Sequence, residues 1–267
     1  MWASRGCPFS CHFCAWPQIM GRPGLYRPRS VDNVLDEMHF LVHHMKFKSI
    51  YFDDDTFNVG ITRIMEFSQK LIERRKKGQI LVPWAIMARA DLMTEPLLKQ
   101  LKLAGLYSVK YGVESADQAL IDDCGKNMNL EKTIEMIRLT QSIGIKVHLT
   151  FILGLPNETK ESLRKTMDLA LSLNPDSLQF SIATPFPGTS LYYSLKEQGK
   201  LLSFSPENLD GNHDYVIQSP SLSPGDIVRA RDEAYTRWGE HQRLRRNPKK
   251  ISIGTWHFQR ARTYWKQ

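Results

Sequence analysis

Strand and helix patterns alternate through most of this 267-residue sequence, which limits the folds open to it. Apolar runs of strand length begin near residues 49, 80, 107, 145 and 177. Between each pair, apolar residues recur at helical spacing, and two of the helices end at Gly105 and Gly144. The second run covers Ile80 to Ala88. Since repeated strand–helix units form parallel sheets, the sequence predicts an α/β fold.

The pattern changes after about residue 200. Residues 203–223 are polar with scattered proline and glycine, which predicts a loop, and Ser223 to Asp226 form a capping box that opens a helix. We expect a core at residues 1–200 and an extension at residues 201–267, made of a loop, a helix and a tail. The 42% hydrophobic content is enough for one barrel-sized core with such an appendage.

Three of the four cysteines, Cys7, Cys11 and Cys14, have the spacing CxxxCxxC. Thiolates this close can converge on one centre, and a set made only of cysteines favours an iron–sulfur cluster or zinc. A closed site usually takes four protein ligands. Because Cys124 is far along the chain, the simplest interpretation is a [4Fe–4S] cluster with one iron open to a non-protein ligand. The alternative is a zinc site completed by His12 or a distant histidine.

The cysteine segment, with the aromatic Phe13 before its last cysteine, closely resembles the loop of the radical S-adenosylmethionine (SAM) enzymes. The resemblance implies an open, partial (β/α)6 TIM-like barrel, in which residues 1–4 are a short first strand. It also implies a [4Fe–4S] cluster, SAM, and a one-electron reductant such as flavodoxin or ferredoxin. In that family the reduced cluster cleaves SAM to a 5′-deoxyadenosyl radical that removes hydrogen from the substrate. We expect Phe13 beside the cofactor.

Three adjacent carboxylates, Asp53, Asp54 and Asp55, follow the first of the apolar runs. They repel one another unless a cation or hydrogen-bond donors lie beside them. The resemblance implies that at least one of them contacts the SAM amino group, at a position where the family usually has a glycine-rich turn. Helix capping and loop solvation are the alternative explanation.

Further cofactor contacts are implied at the ends of later strands, where such barrels carry their chemistry. Glu114 and Ser115 match a Glu-Ser pair that holds the SAM ribose in the family. Arg89 is expected to pair with the SAM carboxylate or with Glu114, and a structural ion pair is its alternative. Gly154 begins a segment at residues 154–159 that resembles the family's GxPxET sequence, whose backbone flanks adenine. No catalytic side chain is assigned.

Within the family, the motifs are most similar to the cobalamin-dependent branch, which includes the anaerobic magnesium-protoporphyrin cyclase and lipid or natural-product methylases. This resemblance implies anaerobic methylation or cyclisation of a small organic or lipid-like substrate. It also implies cobalamin as a further cofactor, carried by an amino-terminal domain that this sequence does not contain. We therefore expect that domain either upstream, in a longer protein, or supplied in trans.

The formal net charge of +8 is concentrated at the end of the chain. Residues 241–267 hold eight Lys and Arg and no acidic residue, which leaves 28 basic and 28 acidic residues elsewhere. Basic residues and aromatic ones together can bind RNA or an anionic membrane surface. An RNA-modifying, methylthiotransferase-like enzyme is therefore the second functional hypothesis, and a non-catalytic zinc-binding interaction protein is the third. The aromatic residues of this tail are Trp256, Phe258, Tyr264 and Trp265.

The sequence has no run of about 18 apolar residues and no signal-peptide pattern at its start. Four cysteines, three of them clustered, argue against a disulfide scaffold and for a reducing compartment. We expect a cytoplasmic protein without a transmembrane segment, and peripheral membrane contact through the tail remains an open alternative.

Overall fold

A five-stranded parallel sheet in the order β3-β4-β5-β6-β7 is the centre of the computed structural model, which describes residues 1–246. The strands of the described chain are β1 Ser4–Arg5, β2 Arg27–Pro28, β3 Ile50–Phe52, β4 Trp84–Ala88, β5 Leu106–Glu114, β6 Lys146–Leu153 and β7 Ser177–Ile182. The α-helices are α1 Trp16–Ile19, α2 Val31–His43, α3 Ile61–Lys76, α4 Glu95–Leu103, α5 Gln118–Asp123, α6 Leu130–Ser142, α7 Lys160–Leu173, α8 Ser190–Glu197 and α9 Pro224–Arg246.

The sheet has an apolar outer face that packs against helices. In β5, Val109, Tyr111 and Val113 are buried, and Lys110 and Gly112 between them are only partly buried. The Tyr111 hydroxyl lies 3.1 Å from the Thr140 hydroxyl of α6. Strands β6 and β7 show the same alternation. The period of two residues therefore separates a helix-covered face from an inner face whose side chains stay partly exposed.

Rings from β3, β4 and α3 form an aromatic cluster under this outer face. The Phe52 ring centroid lies 5.9 Å from those of Phe67 and Trp84, and the Trp84 indole donates a hydrogen bond to Ala104 O at 3.0 Å. Strand β4 begins at Trp84, so the strand predicted from Ile80 starts too early. The reason is Pro83, which has no N–H for the ladder and offers only its carbonyl oxygen, to Ile50 N–H at 3.1 Å.

Side-chain caps begin two of the helices, and the two glycines that the sequence predicts as helix ends follow those same helices. Thr94 begins α4 and Asn129 begins α6, each accepting a hydrogen bond from the backbone of its third following residue. Gly105 and Gly144 follow the ends of α4 and α6 with φ of +93° and +77°. Because glycine adopts this left-handed conformation without a steric cost, the backbone turns directly into the next strand at both positions.

The amino-terminal segment occupies the place of a sixth strand without extending the assigned sheet. The Met1 amino group donates to Tyr51 O at 2.9 Å, and Asp53 N–H donates to Met1 O at 3.0 Å. This is the bonding pattern of a parallel pair beside β3. The following residues leave the sheet, because β1 pairs antiparallel with β2. The predicted short first strand is therefore reduced to this contact.

Residues 201–246 pack on the barrel instead of standing apart from it. Leu201 forms an isolated bridge with Ile217, and α9 lies along the last strand. The Tyr235 hydroxyl donates to Phe180 O at 3.3 Å and accepts from Phe180 N–H at 3.1 Å. Helix α9 thus satisfies backbone groups on the free edge of β7. Of the tail predicted to contact RNA or membrane, residues 241–246 form the end of α9, and residues 247–267, which contain all of its aromatic residues, lie outside the described residues. No helix among residues 1–246 is long and apolar enough to cross a membrane.

Candidate functional site

The cysteine loop is fixed at both of its ends. At the start, Asp54 accepts a hydrogen bond from Ala3 N–H at 3.0 Å and another from the Ser4 hydroxyl. Gly6 has φ +82°, and a Cβ there would lie 2.1 Å from Leu25 O, so only glycine fits. The Asp54 side chain, just after β3, therefore fixes the start of the cysteine loop.

The other end of the loop is held through His12. Its N–H donates to Cys124 O at 2.8 Å, and its carbonyl accepts from Leu191 N–H at 2.9 Å. The ring Nδ1 lies 3.1 Å from Asp123 O, and the ring packs over Gly125. His12 thus acts as an anchor between α5 and α8, through its backbone and through the ring nitrogen beside Asp123 O.

Cys7, Cys11 and Cys14 are half-buried thiols that influence one another electrostatically. Burial raises the pKa of Cys14 to about 12, and it also raises the pKa of Cys11, against the opposing charge of Lys126. Cys7 Sγ lies 3.5 Å from the Thr56 hydroxyl. Among residues 1–246, no three His, Cys, Asp or Glu side chains are close enough to share a single metal ion. A [4Fe–4S] cluster needs its sulfur ligands further apart than a single ion does, because each thiolate binds a different iron.

The three adjacent aspartates have three different environments. Asp53 is exposed, and Asp54 is fully buried in the contacts with residues 3 and 4. Asp55 is half-buried, and its Oδ2 has no hydrogen-bond partner among the described residues. Burial, and then the charge of Asp54, raise the pKa of Asp55, whose own charge acts on Cys14. Asp55 is therefore the member of the predicted trio with an unused oxygen beside the cysteines.

Glu114 ends β5 in a left-handed conformation, with φ +67°. Its carboxylate forms a buried ion pair with Lys126, whose ammonium also donates to Gly112 O at 2.8 Å. A Cβ at Gly112 would lie 2.3 Å from Glu114 Oε1, so glycine makes room for the pair. The charges of Lys126, Glu114 and Arg89 all act on the Cys11 thiol. Sequence reasoning missed Lys126, although a lysine directly after a glycine at a helix end was the available signal.

Arg89 is buried in a set of contacts that use most of its donors. It forms a two-point ion pair with Asp91, at 3.0 and 2.8 Å, and donates to Lys126 O at 3.0 Å. Its guanidinium carbon also lies 4.0 Å from the centre of the Phe9 ring. Arg89 therefore forms the structural ion pair that was the alternative prediction. The predicted pairing of Arg89 with Glu114 is wrong, because Glu114 is paired with Lys126.

Ser115 and Gly154 lie at the ends of neighbouring strands. The Ser115 hydroxyl is buried, lies 3.3 Å from the Thr166 hydroxyl of α7, and accepts from Asp117 N–H at 3.1 Å. Gly154 has φ +88°, and a Cβ there would lie 2.5 Å from the Tyr215 ring. The turn predicted to flank adenine is therefore covered by a residue of the extension.

Glu158 belongs to the GxPxET segment and is not among the predicted site residues. One of its oxygens accepts from Gly154 N–H and from Leu155 N–H, the latter at 3.1 Å. Its Oε1 and the buried Tyr215 hydroxyl have no partner within residues 1–246. Burial raises the pKa of Glu158 to about 8. Two buried oxygen atoms at this turn, near the cysteine loop, are therefore without a hydrogen-bond partner among the described residues.

A cavity of about 370 Å³ adjoins these residues. Its wall combines the cysteine loop, the turn after β6, helix α8 and residues 217–220. Phe13 lines it together with Leu155 and Asn157. Phe13 and the GxPxET segment thus share one wall of this cavity, and the contact of Phe13 with the cofactor stays a prediction.

A family model described as the radical SAM superfamily matches residues 3–170, which is more than half of the chain. The chain belongs to the radical SAM superfamily. This confirms the resemblance seen in the cysteine loop, and it favours a cluster over the zinc alternative.

Curated relatives include methyltransferases, magnesium-protoporphyrin cyclases and a putative methylthiotransferase. An uncharacterised methyltransferase of Pyrococcus horikoshii is 33% identical over 71% of this chain and 40% of its own length. The anaerobic magnesium-protoporphyrin IX monomethyl ester cyclase of Cereibacter sphaeroides is 32% identical over 84% of this chain and 36% of its own length. The chain therefore spans well under half of the length of these relatives.

Among solved structures, the radical SAM methyltransferase TsrM from Kitasatospora setae, bound to tryptophan and a SAM analogue, matches with a TM-score of 0.69. It is 22% identical, over 77% of this chain and 40% of that chain. At this identity the match shows the fold alone, and it confirms the predicted TIM-like partial barrel.

Proposed function

We propose that this chain is the core of a radical SAM enzyme that carries a [4Fe–4S] cluster on Cys7, Cys11 and Cys14. The observation that carries the proposal is the trio of thiols on one loop, fixed by Asp54 and His12 at the carboxyl ends of a parallel sheet. Three thiolates leave one iron of such a cluster open, which suits a small molecule with amino and carboxylate groups. When bound, the cluster supplies a single electron to the SAM sulfonium.

The residues around the cysteines suit SAM in charge and position. The unused Asp55 oxygen is an acceptor for an ammonium group, and Glu114 is an acceptor for ribose hydroxyls while Lys126 offsets its charge. The backbone at Gly154 and the ring of Phe13 offer flat surfaces against which the adenine of SAM can pack. Arg89 has a different role in this proposal, because its bonds to Asp91 and Lys126 O fix the turn that carries Lys126.

The reaction proposed is methylation or cyclisation of a small organic or lipid-like substrate under anaerobic conditions. The support is the similarity to a methyltransferase and to a cyclase, both of them longer than this chain. Cobalamin is a proposed further cofactor, delivered by a domain outside the 267 residues or by another protein. A flavodoxin or ferredoxin is the proposed electron donor. RNA modification rests on the basic tail and stays a prediction, since residues 247–267 of that tail lie outside the described residues.

Anaerobic reconstitution with iron and sulfide tests the proposal. The wild type is expected to become brown and, with dithionite, to convert SAM to 5′-deoxyadenosine and methionine. Cys14→Ala should lower nucleoside release at least a hundredfold, because one cluster ligand is removed. Cys124→Ala is the matched control, since within residues 1–246 the Cys124 thiol donates to Ile121 O alone, at 3.2 Å.

The outcome is read from iron content, absorbance near 400 nm and chromatography of the nucleoside. Equal nucleoside release from the wild type and Cys14→Ala contradicts the proposal. A colourless wild type that holds one zinc per chain contradicts it as well.

A further inference from the structure

The inner face of the sheet differs from the outer face in carrying polar side chains. The parallel register places Lys110 of β5 beside His148 of β6, and His148 beside Ser177 of β7. One step nearer the carboxyl ends, Thr150 pairs with Gln179. These inner-face residues of β5 to β7 are only partly buried or exposed, whereas their outer-face neighbours are buried. A face that would be filled with apolar side chains in a closed barrel is here polar and accessible.

Contacts within this face confirm that the side chains lie together. His148 Nδ1 lies 2.8 Å from the Ser177 hydroxyl, and Gln179 donates to the Ser181 hydroxyl at 2.9 Å. Burial, and then the charge of Lys110, lower the pKa of His148. The hydrogen bond to Ser177 occupies one ring nitrogen, and the other has no hydrogen bond within residues 1–246.

Two lysines of this face differ in a way that indicates a ligand. Lys146, at the amino end of β6, is exposed and bonded to Asp176 at 2.7 Å. Lys110 is partly buried, and within residues 1–246 it has no hydrogen bond or ion pair. A partly buried ammonium group without a counter-charge is stabilised when an anion binds beside it.

No acidic side chain of the neighbouring elements compensates Lys110 in the described part of the chain. Asp176 is bound to Lys146, and Glu114 is bound to Lys126. Asp53 lies exposed beyond the end of β3. The charge balance next to Lys110 and His148 therefore favours an anionic ligand with several hydrogen-bond acceptors.

We propose that Lys110 and His148 form a subsite for an anionic oxygen group, a carboxylate or a phosphate, of the substrate. This inference rests on the proposed function, because it assigns the inner face of the barrel to the molecule on which the cofactor site acts. Lys110 precedes Glu114 by four residues, which is roughly 13 Å along a strand. The substrate therefore carries its anionic group about this distance from the end that reacts. Thr150 and Gln179 lie on the path between them.

Nuclear magnetic resonance of the His148 ring tests the subsite directly in the full chain. Inorganic phosphate and acetate are titrated separately, against sodium chloride at matched ionic strength. Binding at this site is expected to raise the pKa of His148, because an anion offsets Lys110 and favours the imidazolium. Tighter binding of phosphate than of acetate identifies a phosphate group, and the reverse order identifies a carboxylate.

Three variants separate this site from surface charge. Lys110→Met should weaken the preferred anion at least tenfold, and Lys110→Arg should bind it within about threefold of the wild type. Lys146→Met is the matched control, and it should change binding less than twofold because Asp176 already neutralises that lysine. Circular dichroism and iron content show whether each variant is folded.

Either of two results overturns the subsite. One is that neither anion moves the His148 signals more than chloride does, and the other is that Lys110→Met and Lys146→Met weaken binding equally. The proposed function fails separately, if the wild type does not cleave SAM. Anion binding at His148 is measured without SAM or reductant, so the two failures are distinguishable.

Discussion

The turns that follow β3 and β6 both contain a buried carboxylate, but they complete its hydrogen bonds to different extents. Both Asp54 oxygens accept hydrogen bonds, from Ala3 N–H and the Ser4 hydroxyl. In Glu158 one oxygen accepts from two backbone N–H groups, and the other has no partner among the described residues. Asp54 therefore belongs to the scaffold that positions the cysteine loop. In the turn after β6, by contrast, one Glu158 oxygen is still available to accept a hydrogen bond.

The difference teaches how to separate supporting residues from candidate contacts in this site. Carboxylates at strand ends look equivalent in the sequence, and burial alone does not distinguish them either. The count of satisfied oxygens does, because a carboxylate whose acceptors are all used has little left for a ligand. The same criterion separates Asp54 from its neighbour Asp55.

The largest expected effect is at the β3 turn. Asp54→Ala leaves the Ala3 N–H and the Ser4 hydroxyl buried without an acceptor, which is expected to cost about 4 kcal/mol of unfolding free energy. Urea denaturation of the apoprotein measures it. Asp53→Ala is the matched control, because Asp53 is exposed, and it should change stability by less than about 0.5 kcal/mol. Equal effects at the two positions would contradict the scaffold role of Asp54.

The β6 turn is expected to make stability depend on pH. Glu158 has a pKa raised to about 8 by burial, and in the unfolded chain a glutamate titrates at about 4.3. Between these values the folded state keeps a proton that the unfolded state has released, so unfolding free energy falls as the pH rises. The expected fall is on the order of 3 kcal/mol between pH 5 and 8.

Glu158→Gln isolates this pH dependence. Glutamine keeps an oxygen for the two N–H donors but does not titrate, so the part of the slope that belongs to Glu158 should disappear. Urea denaturation at a series of pH values compares the two proteins. Parallel curves for the wild type and the variant would show that Glu158 is ionised in the folded state.

Gly154→Ala probes the coverage of the same turn by Tyr215. The added methyl meets the Tyr215 ring and also has an unfavourable φ, which together should cost about 2 kcal/mol. Gly188→Ala is the control for conformation alone, since Gly188 has φ +96° and open space around its Cβ position. Its expected cost is about 1 kcal/mol. If thermal unfolding shows the same loss of stability for both variants, the Tyr215 ring is not in close contact with Gly154.

The smallest effect is expected for Tyr215→Phe. The Tyr215 hydroxyl is buried without a partner in the described chain, so removing it should leave stability unchanged or raise it by up to about 1 kcal/mol. Tyr111→Phe is the comparison, because it removes a hydrogen bond to Thr140 at 3.1 Å and should destabilise by about 1 kcal/mol. A clear loss on Tyr215→Phe would mean that the hydroxyl bonds to Glu158.

The local sequence predicted much of the fold and the position of the candidate site. The helix caps Thr94 and Asn129 and the glycine ends at Gly105 and Gly144 act within a few residues, so they can be recognised along the chain. The extent of β4 was predicted less well, because Pro83 limits pairing in a way that depends on the neighbouring strand.

Long-range partners were not predictable in the same way. Arg89 has Asp91 two residues away and Lys126 in a separate turn, and nothing in the local pattern favours these over Glu114. Tyr215 reaches Gly154 from 61 positions further along the chain. Such contacts depend on how the extension packs, and its polar loop sequence carries little periodicity.

By itself, the sequence determined the close spacing of three cysteines, the alternating strand–helix order and the strand ends where polar residues gather. Spacing, period and turn residues suffice for these, because each follows from covalent geometry and local backbone preference. Only the tertiary structure decided which cation Glu114 binds and, within residues 1–246, which aspartate keeps an unused oxygen and that Lys110 faces the inner surface without a partner. Those outcomes depend on donors and charges from distant segments, whose positions are set by packing of the whole sheet.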